Sequence, residues 1–435
     1  MLRKKVLPLL LSVSFLTLIF SGCIGEDVVN GNRAPLIVLD HPLNDRTVLN
    51  IVTICGTAWD PDGNQTLSKV EVSIDDEPWV AASGTTLWSY SWNTFGLEDE
   101  RMYNISVRAV DDQGKNSEQI SLRVYLDNPD VVDSSAAKFA VFVATGNFPE
   151  NDEEKLGNGG LVLAERMAKY LIEDCGYPTS NIFILFDDGW LRADNGYGEP
   201  ISTLQMRPHE YDVTYGGATA EMVDDVIDYV VDQSNMDPDS EVFIWMFNHG
   251  YGNLEDPMFG GKLLESSMLF LWDDLISDEE LGEKLSTLKS KETTIIVDAC
   301  FSGGFADKTI YGIPTSILMK SGVPRIGRVV MTGASKYRPG YASTTQGPLF
   351  SLLWFEGLTT GDADGFVPGL LNMGRQTILD RKKDGVVSVE EAFFYACWRL
   401  RNDEVFEDYD GMEPQITDRY PSFGFLFNQK GLVLG

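Results

Sequence analysis

The sequence predicts two folded parts in series: an all-β sandwich over residues 35–128, then an α/β domain with a mostly parallel central sheet over 138–435. Three observations carry this expectation. Short runs alternating apolar and polar residues, cut by turn signals, fill the first part. Continuous apolar runs alternating with helical stretches fill the second. Two of those runs stop abruptly on reactive side chains, "VFIWMFNHGYG" at His249 and "TTIIVDACFSGG" at Cys300.

The N-terminus reads as an export signal. Arg3, Lys4 and Lys5 precede an apolar stretch from Val6 to Phe20, shorter than the ~20 residues of a membrane span. It ends in Ser21-Gly22-Cys23, which resembles a prokaryotic lipobox and implies cleavage before Cys23 and lipid attachment to its thiol. The alternative is an uncleaved anchor or an ordinary signal peptide. Residues 1–23 are thus expected to be removed or anchored, and 24–34 ("IGEDVVNGNRA") to form a tether. The mature chain is expected on the extracellular face of the cell membrane.

From Pro35 the runs are "LNIVTICGTAWD", "SKVEVSIDD", "EPWVAA", "WSYSWNT", "MYNISVRAVDDQG" and "QISLRVYL", with "PDGNQ" as the first turn. Period-two alternation with turns every eight to twelve residues is the pattern of a β-sandwich. The segment resembles a bacterial immunoglobulin-like domain, which implies spacing or adhesion. Asp60, Asp62, Asp111 and Asp112 are candidate calcium ligands, with plain turn formation as the other reading. A linker follows at 129–137.

Strands are expected at 138–145, 181–186, 241–247, 293–297 and 328–334. The clearest helix starts after Thr219, with Met222, Val223, Val226, Ile227, Val230 and Val231 recurring at helical spacing. In such a sheet, ligand sites lie outside the carboxyl ends of the strands. The chain has 3 histidines, and His249 stands at one such end. Cys300 stands at another, 51 positions on (249 to 300). If the two strands are neighbours, the imidazole and thiol meet over one edge of the sheet. A thiolate attacks a peptide carbonyl, the imidazole moves protons, and backbone N–H groups bind the developing oxyanion. Gly250 leaves its N–H open, and the Cys300 N–H is the second donor. Gly303 and Gly304 let the chain turn tightly and clear space behind the nucleophile. The competing reading is an inert buried cysteine and a hydrogen-bonded histidine. A Cys/His metal site is disfavoured, because no second Cys or His lies at ligand spacing.

Composition is ordinary for a globular protein, 43% hydrophobic and 23% charged, but the balance is acidic: Lys+Arg 34 against Asp+Glu 66, net −32. No basic footprint exists for nucleic acid. Of the 5 cysteines, Cys55 reads as a buried small hydrophobe. Cys175 and Cys397 form a disulfide or stay as two buried thiols, leaving Cys300 free.

Residues 138–357 resemble the legumain family of cysteine endopeptidases, within the clan that contains caspases, gingipains and clostripain. "FAVFVATGN", "CGYPTSNIFILFDD", "YDVTYGGATAEMV", "FIWMFNHG", "IIVDACFSGG" and "VVMTGASKYRPGYAS" match in order. The resemblance implies a caspase-like α/β fold and a hydrolase acting on protein or peptide substrates with no required cofactor. His249 would be the acid/base, Cys300 the nucleophile, and the Gly250 and Cys300 amides the oxyanion hole. It further implies Asn147 as the residue that orients the histidine, with Asp298 and Ser335 in the specificity pocket. An acidic pocket favours Asn, Arg or Lys before the scissile bond. The family's Arg-His pair is absent from "ENDEEKLGNGG", so the choice among these stays open. The reading from another class is a non-catalytic surface adhesion protein on a peptidase-like fold.

In the C-terminal part, Asp380, Asp384, Gly385, Ser388 and Glu391 fall at calcium-loop positions, with Lys382 opposing them at the third. A helix capped by Ser388, with Glu390 and Glu391 in its first turn, explains the same letters.

Overall fold

The computed structural model describes residues 31–128, 137–147, 155–190, 213–252, 266–308, 321–368, 374–376, 383–421 and 431–435. The signal, Cys23 and the linker residues 129–136 lie outside them, as do Asp380 and Lys382.

The first part is a two-sheet sandwich. One sheet orders Leu36–His41, Ile51–Trp59, Leu87–Asn93 and Ser83–Gly84. The other orders Arg46–Val48, Ile120–Leu126, Arg101–Asp111, Leu67–Ile74 and Val80–Ala81. Its core holds Ile54, Val70, Trp88, Ile105, Val107 and Val124, the inward positions of an alternating pattern. The strands Leu36–His41 and Arg46–Val48 were not expected from the sequence. Part of the expected tether is tied down: the Asn32 side chain donates to Asp111 at 2.6 Å, and Arg33 donates to Asp62 at 2.7 Å. Asp60 accepts the Asp62 N–H and Asp111 accepts the Gln113 and Lys115 N–H groups, the bonds of turn formers.

The second part is built on seven strands: β1 (Lys138–Ala144), β2 (Ile182–Phe186), β3 (Thr214–Gly216), β4 (Glu241–Phe247), β5 (Glu292–Asp298), β6 (Arg328–Thr332) and β7 (Gln415–Asp418). Their order is β3-β2-β1-β4-β5-β6-β7, parallel throughout except for the antiparallel β7. Strands buried on both faces need apolar residues at every position, which is why they read as continuous runs. Alternate residues serve opposite layers. Phe142, Ile184, Trp245 and Ile296 pack with helices α1 (Gly159–Glu173), α4 (Leu349–Thr360) and α5 (Val389–Asn402). Phe139, Val141, Ile244 and Ile295 pack with α2 (Ala220–Ser234) and α3 (Asp278–Lys284).

Thr219 caps α2, accepting the Met222 N–H at 3.3 Å, worth about 1 kcal/mol. Ser388 and Glu391 form a capping box on α5, so the helix-cap reading holds for these two letters. Cys175 and Cys397 are both buried and free, with no disulfide between them.

The sandwich docks directly on the sheet edge at β3. Asn50 Nδ2 donates to Thr214 Oγ1 at 2.9 Å and to the Ser180 carbonyl at 3.0 Å. Ile51 belongs to the α/β core, and the Phe95 and Tyr229 rings stack 4.0 Å apart. No helix among the described residues is long and apolar enough to cross a membrane.

Candidate active site

Strands β4 and β5 are neighbours in parallel register, with Phe247 opposite Asp298 as their last pair. His249 and Cys300 each lie two residues beyond that pair, so both emerge at the same carboxyl edge. Strand β1 flanks β4 on its other side, and its extension brings Asn147 to the same edge. The three residues expected to carry the chemistry therefore lie at the carboxyl ends of three adjacent strands.

The histidine is fixed through its backbone. Its N–H donates to Asn248 Oδ1 at 2.6 Å and its carbonyl accepts the Phe270 N–H at 3.1 Å. Asn248 Nδ2 in turn bonds Thr145 Oγ1 and the Phe270 carbonyl. Asn248 is 2% exposed and is the anchor of this turn, a role not read from the sequence.

The sulfur of Cys300 accepts the Gly340 N–H at 3.2 Å. Burial pushes its thiol up, while the N–H groups of Gly340, Gly250 and Cys300 itself pull the other way, and the nearby Asp298 charge adds to the rise. Gly250 and Cys300 are the two expected oxyanion donors, and both amides oppose the rise that burial causes in the thiol. Gly250 has no room for a side chain, since a Cβ would lie 1.9 Å from the Cys300 carbonyl oxygen.

Behind Cys300, the turn differs from expectation in one respect. The left-handed residue is Phe301 (φ 58°), not a glycine, and its N–H donates to the Arg338 carbonyl at 2.9 Å. Gly303 and Gly304 are required by close approach instead. A Cβ at Gly303 would lie 2.5 Å from the Lys336 nitrogen, and one at Gly304 would lie 2.2 Å from Asp278 Oδ2. Asp278 is buried, which pushes its carboxyl up to about 6.

Asn147 is fully buried. Its Nδ2 donates to Asp187 Oδ2 at 2.6 Å, Gly157 O at 3.2 Å and Asn158 Oδ1 at 3.3 Å, and its Oδ1 is buried without a hydrogen-bond partner. Asp187 also accepts the Gly146 N–H at 2.8 Å and sits at φ 46°. An aspartate directly after an apolar strand was the available signal for Asp187. The sandwich reaches this corner too, because Ser89 Oγ donates to the Asp188 carbonyl at 2.7 Å.

Asp298 is 1% exposed, and its Oδ2 accepts the Ser351 N–H (2.9 Å) and hydroxyl (2.7 Å) at the start of α4. Burial pushes its carboxyl up to about 6, against the lowering effect of those two bonds. Trp245 Nε1 completes the chain by donating to Ser351 Oγ at 3.0 Å. Ser335 is fully buried and its Oγ has no hydrogen-bond partner. Among the described residues no group of three or more His, Cys, Asp or Glu side chains is arranged to hold a metal.

No protein-family model matches the chain, and no curated protein matches it. Solved structures do resemble parts of it. Fibronectin(III)-like modules of CbhA from Clostridium thermocellum are 24% identical over 22% of this chain and 100% of theirs, with a TM-score of 0.19. The endo-beta-1,4-mannanase of Thermotoga petrophila is 15% identical over 23% of this chain, which spans 21% of the mannanase, at a TM-score of 0.19. Caspase-1 from Spodoptera frugiperda is 14% identical over 66% of this chain and 92% of its own, at a TM-score of 0.36.

Proposed function

We propose that the chain is a cysteine endopeptidase on a caspase-like α/β domain, held at the outer face of the cell membrane by a lipid on Cys23. The observation that carries this reading is the β4–β5 register, which leaves His249 and Cys300 equally far beyond the last paired residues. His249 takes the thiol proton as the sulfur attacks the peptide carbonyl carbon. The Gly250 and Cys300 N–H groups bind the resulting oxyanion. His249 then gives its proton to the leaving amine, and the thioester that remains is hydrolysed by water that His249 deprotonates, which regenerates the thiol. Asn147 helps to hold this edge of the sheet in place. No step needs a cofactor, and the partners are proteins or peptides.

Cys300→Ala is expected to abolish peptide cleavage and labelling by thiol-directed inhibitors with an unchanged circular dichroism spectrum. Cleavage that survives the substitution contradicts the reading.

A second reading, a non-catalytic surface adhesion protein, is favoured by one observation: burial raises the Cys300 thiol. Titration of the thiol separates the two. An inert buried cysteine titrates at or above about 8.5, whereas a working nucleophile with its histidine present titrates lower.

A further inference from the structure

We propose that Glu413 recognises a cationic side chain, lysine or arginine, on the substrate residue before the scissile bond. The proposal rests on the peptidase reading above and names the substrate class of that site. Glu413 is 8% exposed, and its Oε2 is buried without a hydrogen-bond partner. It also holds a left-handed backbone (φ 53°), a conformation that costs a non-glycine residue on the order of 1 kcal/mol or more. A buried carboxylate oxygen with no donor is unfavourable until something cationic or hydrogen-bonding arrives.

The carboxylate is tied to the nucleophile by one short loop. The Ser335 N–H donates to the Met412 carbonyl at 2.9 Å, directly before Glu413. Three residues on, the Arg338 carbonyl accepts the Phe301 N–H, and Gly340 then donates to Cys300 Sγ. The buried, unpartnered Ser335 Oγ supplies a second acceptor on the same loop. A carboxylate oxygen without a donor suits an ammonium or guanidinium, and the Ser335 hydroxyl can accept from the same group. An asparagine amide would give Oε2 a hydrogen bond but bring no cation to it.

Two other charged residues bear on this assignment. Asp298 is less suited to the role, because it is 1% exposed and its Oδ2 already accepts two donors from Ser351. Arg338 is half-exposed and approaches Glu413 Oε1 at 3.8 Å, so the existing ion pair is a long one and is made by the other carboxylate oxygen, not by Oε2. The net charge of −32 attracts cationic peptides and raises their encounter rate.

The test uses the full chain and peptides that differ only before the scissile bond, carrying Arg, Lys, Asn or Asp. The expected result is at least tenfold higher kcat/KM for Arg and Lys. Glu413→Gln should erase at least tenfold of that advantage, with the loss concentrated on the basic substrates. A preference for Asn or Asp, or a basic preference that survives Glu413→Gln, overturns the proposal. Binding of benzamidine to the Cys300→Ala protein decides it even if no peptide is cut. Glu413→Gln in that background should weaken binding at least tenfold, and equal binding overturns the assignment. Absence of cleavage by itself would count against the peptidase reading and not against Glu413. Should the Gln variant not fold, Glu413→Asp retracts the charge by one methylene and should raise the Arg-over-Lys ratio at least threefold; an unchanged ratio overturns the proposal.

Discussion

Gly250 packs its Cα against Cys300: an added methyl would lie 1.9 Å from Cys300 O and 2.9 Å from the Ala299 Cβ. Neither contact is the flexible end of a side chain, so the strand ends must move apart. Gly250→Ala should therefore lower kcat/KM by about 100-fold or more, the scale of losing one oxyanion donor. It should also cost about 1–3 kcal/mol of stability. Steady-state kinetics and urea unfolding check both numbers. Asp298 makes a separate prediction. Its carboxyl is pushed up to about 6 by burial, from an ordinary 3.8. The fold therefore favours the protonated form, so the contribution to stability is full below about 3.8 and is lost as pH rises through about 6. Asn cannot ionise, so Asp298→Asn should gain relative to the parent between pH 4 and 7, by on the order of 3 kcal/mol. Urea unfolding at several pH values measures this, and a difference that stays flat with pH contradicts it. At this scale the sequence singled out His249 and Cys300, because each stands two or three residues past an apolar run. It did not reveal Asn248, Asp187, Ser351 or Gly340, whose roles depend on contacts between distant segments.

The interface between sandwich and sheet is the element with most consequence for the site. Asn50, Ile51 and Thr53 meet β3, the Phe95 ring stacks on Tyr229, and Ser89 holds the Asp188 carbonyl beside Asp187 and Asn147. A domain read as a spacer is thus packed into the second core. Both parts are expected to unfold in one cooperative transition, and Phe95→Ala should lower its free energy by about 2–4 kcal/mol. Two separate transitions in urea, with only one shifted by the substitution, would contradict this. The central strands were legible to within about two residues, since burial on both faces leaves an unbroken apolar run. Leu36–His41 and Arg46–Val48 were not: the first buries only Ile37 fully, and the second has three residues, none of them buried. Gln415–Asp418 was missed for a related reason: it is brief, half polar, and pairs with β6 from far along the chain.

Across the whole molecule, the three-layer arrangement is what places two separate sequence signals at one edge of the sheet. Strand order is non-local, so the sequence predicted an α/β sheet but left the adjacency of β4 and β5 as a condition; the register with Phe247 opposite Asp298 meets it. The same order brings Asn147 alongside on β1 and leaves the sandwich to cover the opposite edge at β3. The central claim is that His249 and Cys300 act on one carbonyl as a unit. Groups that work as a unit give non-additive losses. The most direct measurement is kcat/KM for His249→Ala, Cys300→Ala and the double variant on one peptide. A loss of at least about 1,000-fold is expected for each single variant, with the double no worse than the poorer single. Losses that multiply, or a histidine variant with parental activity, would contradict it.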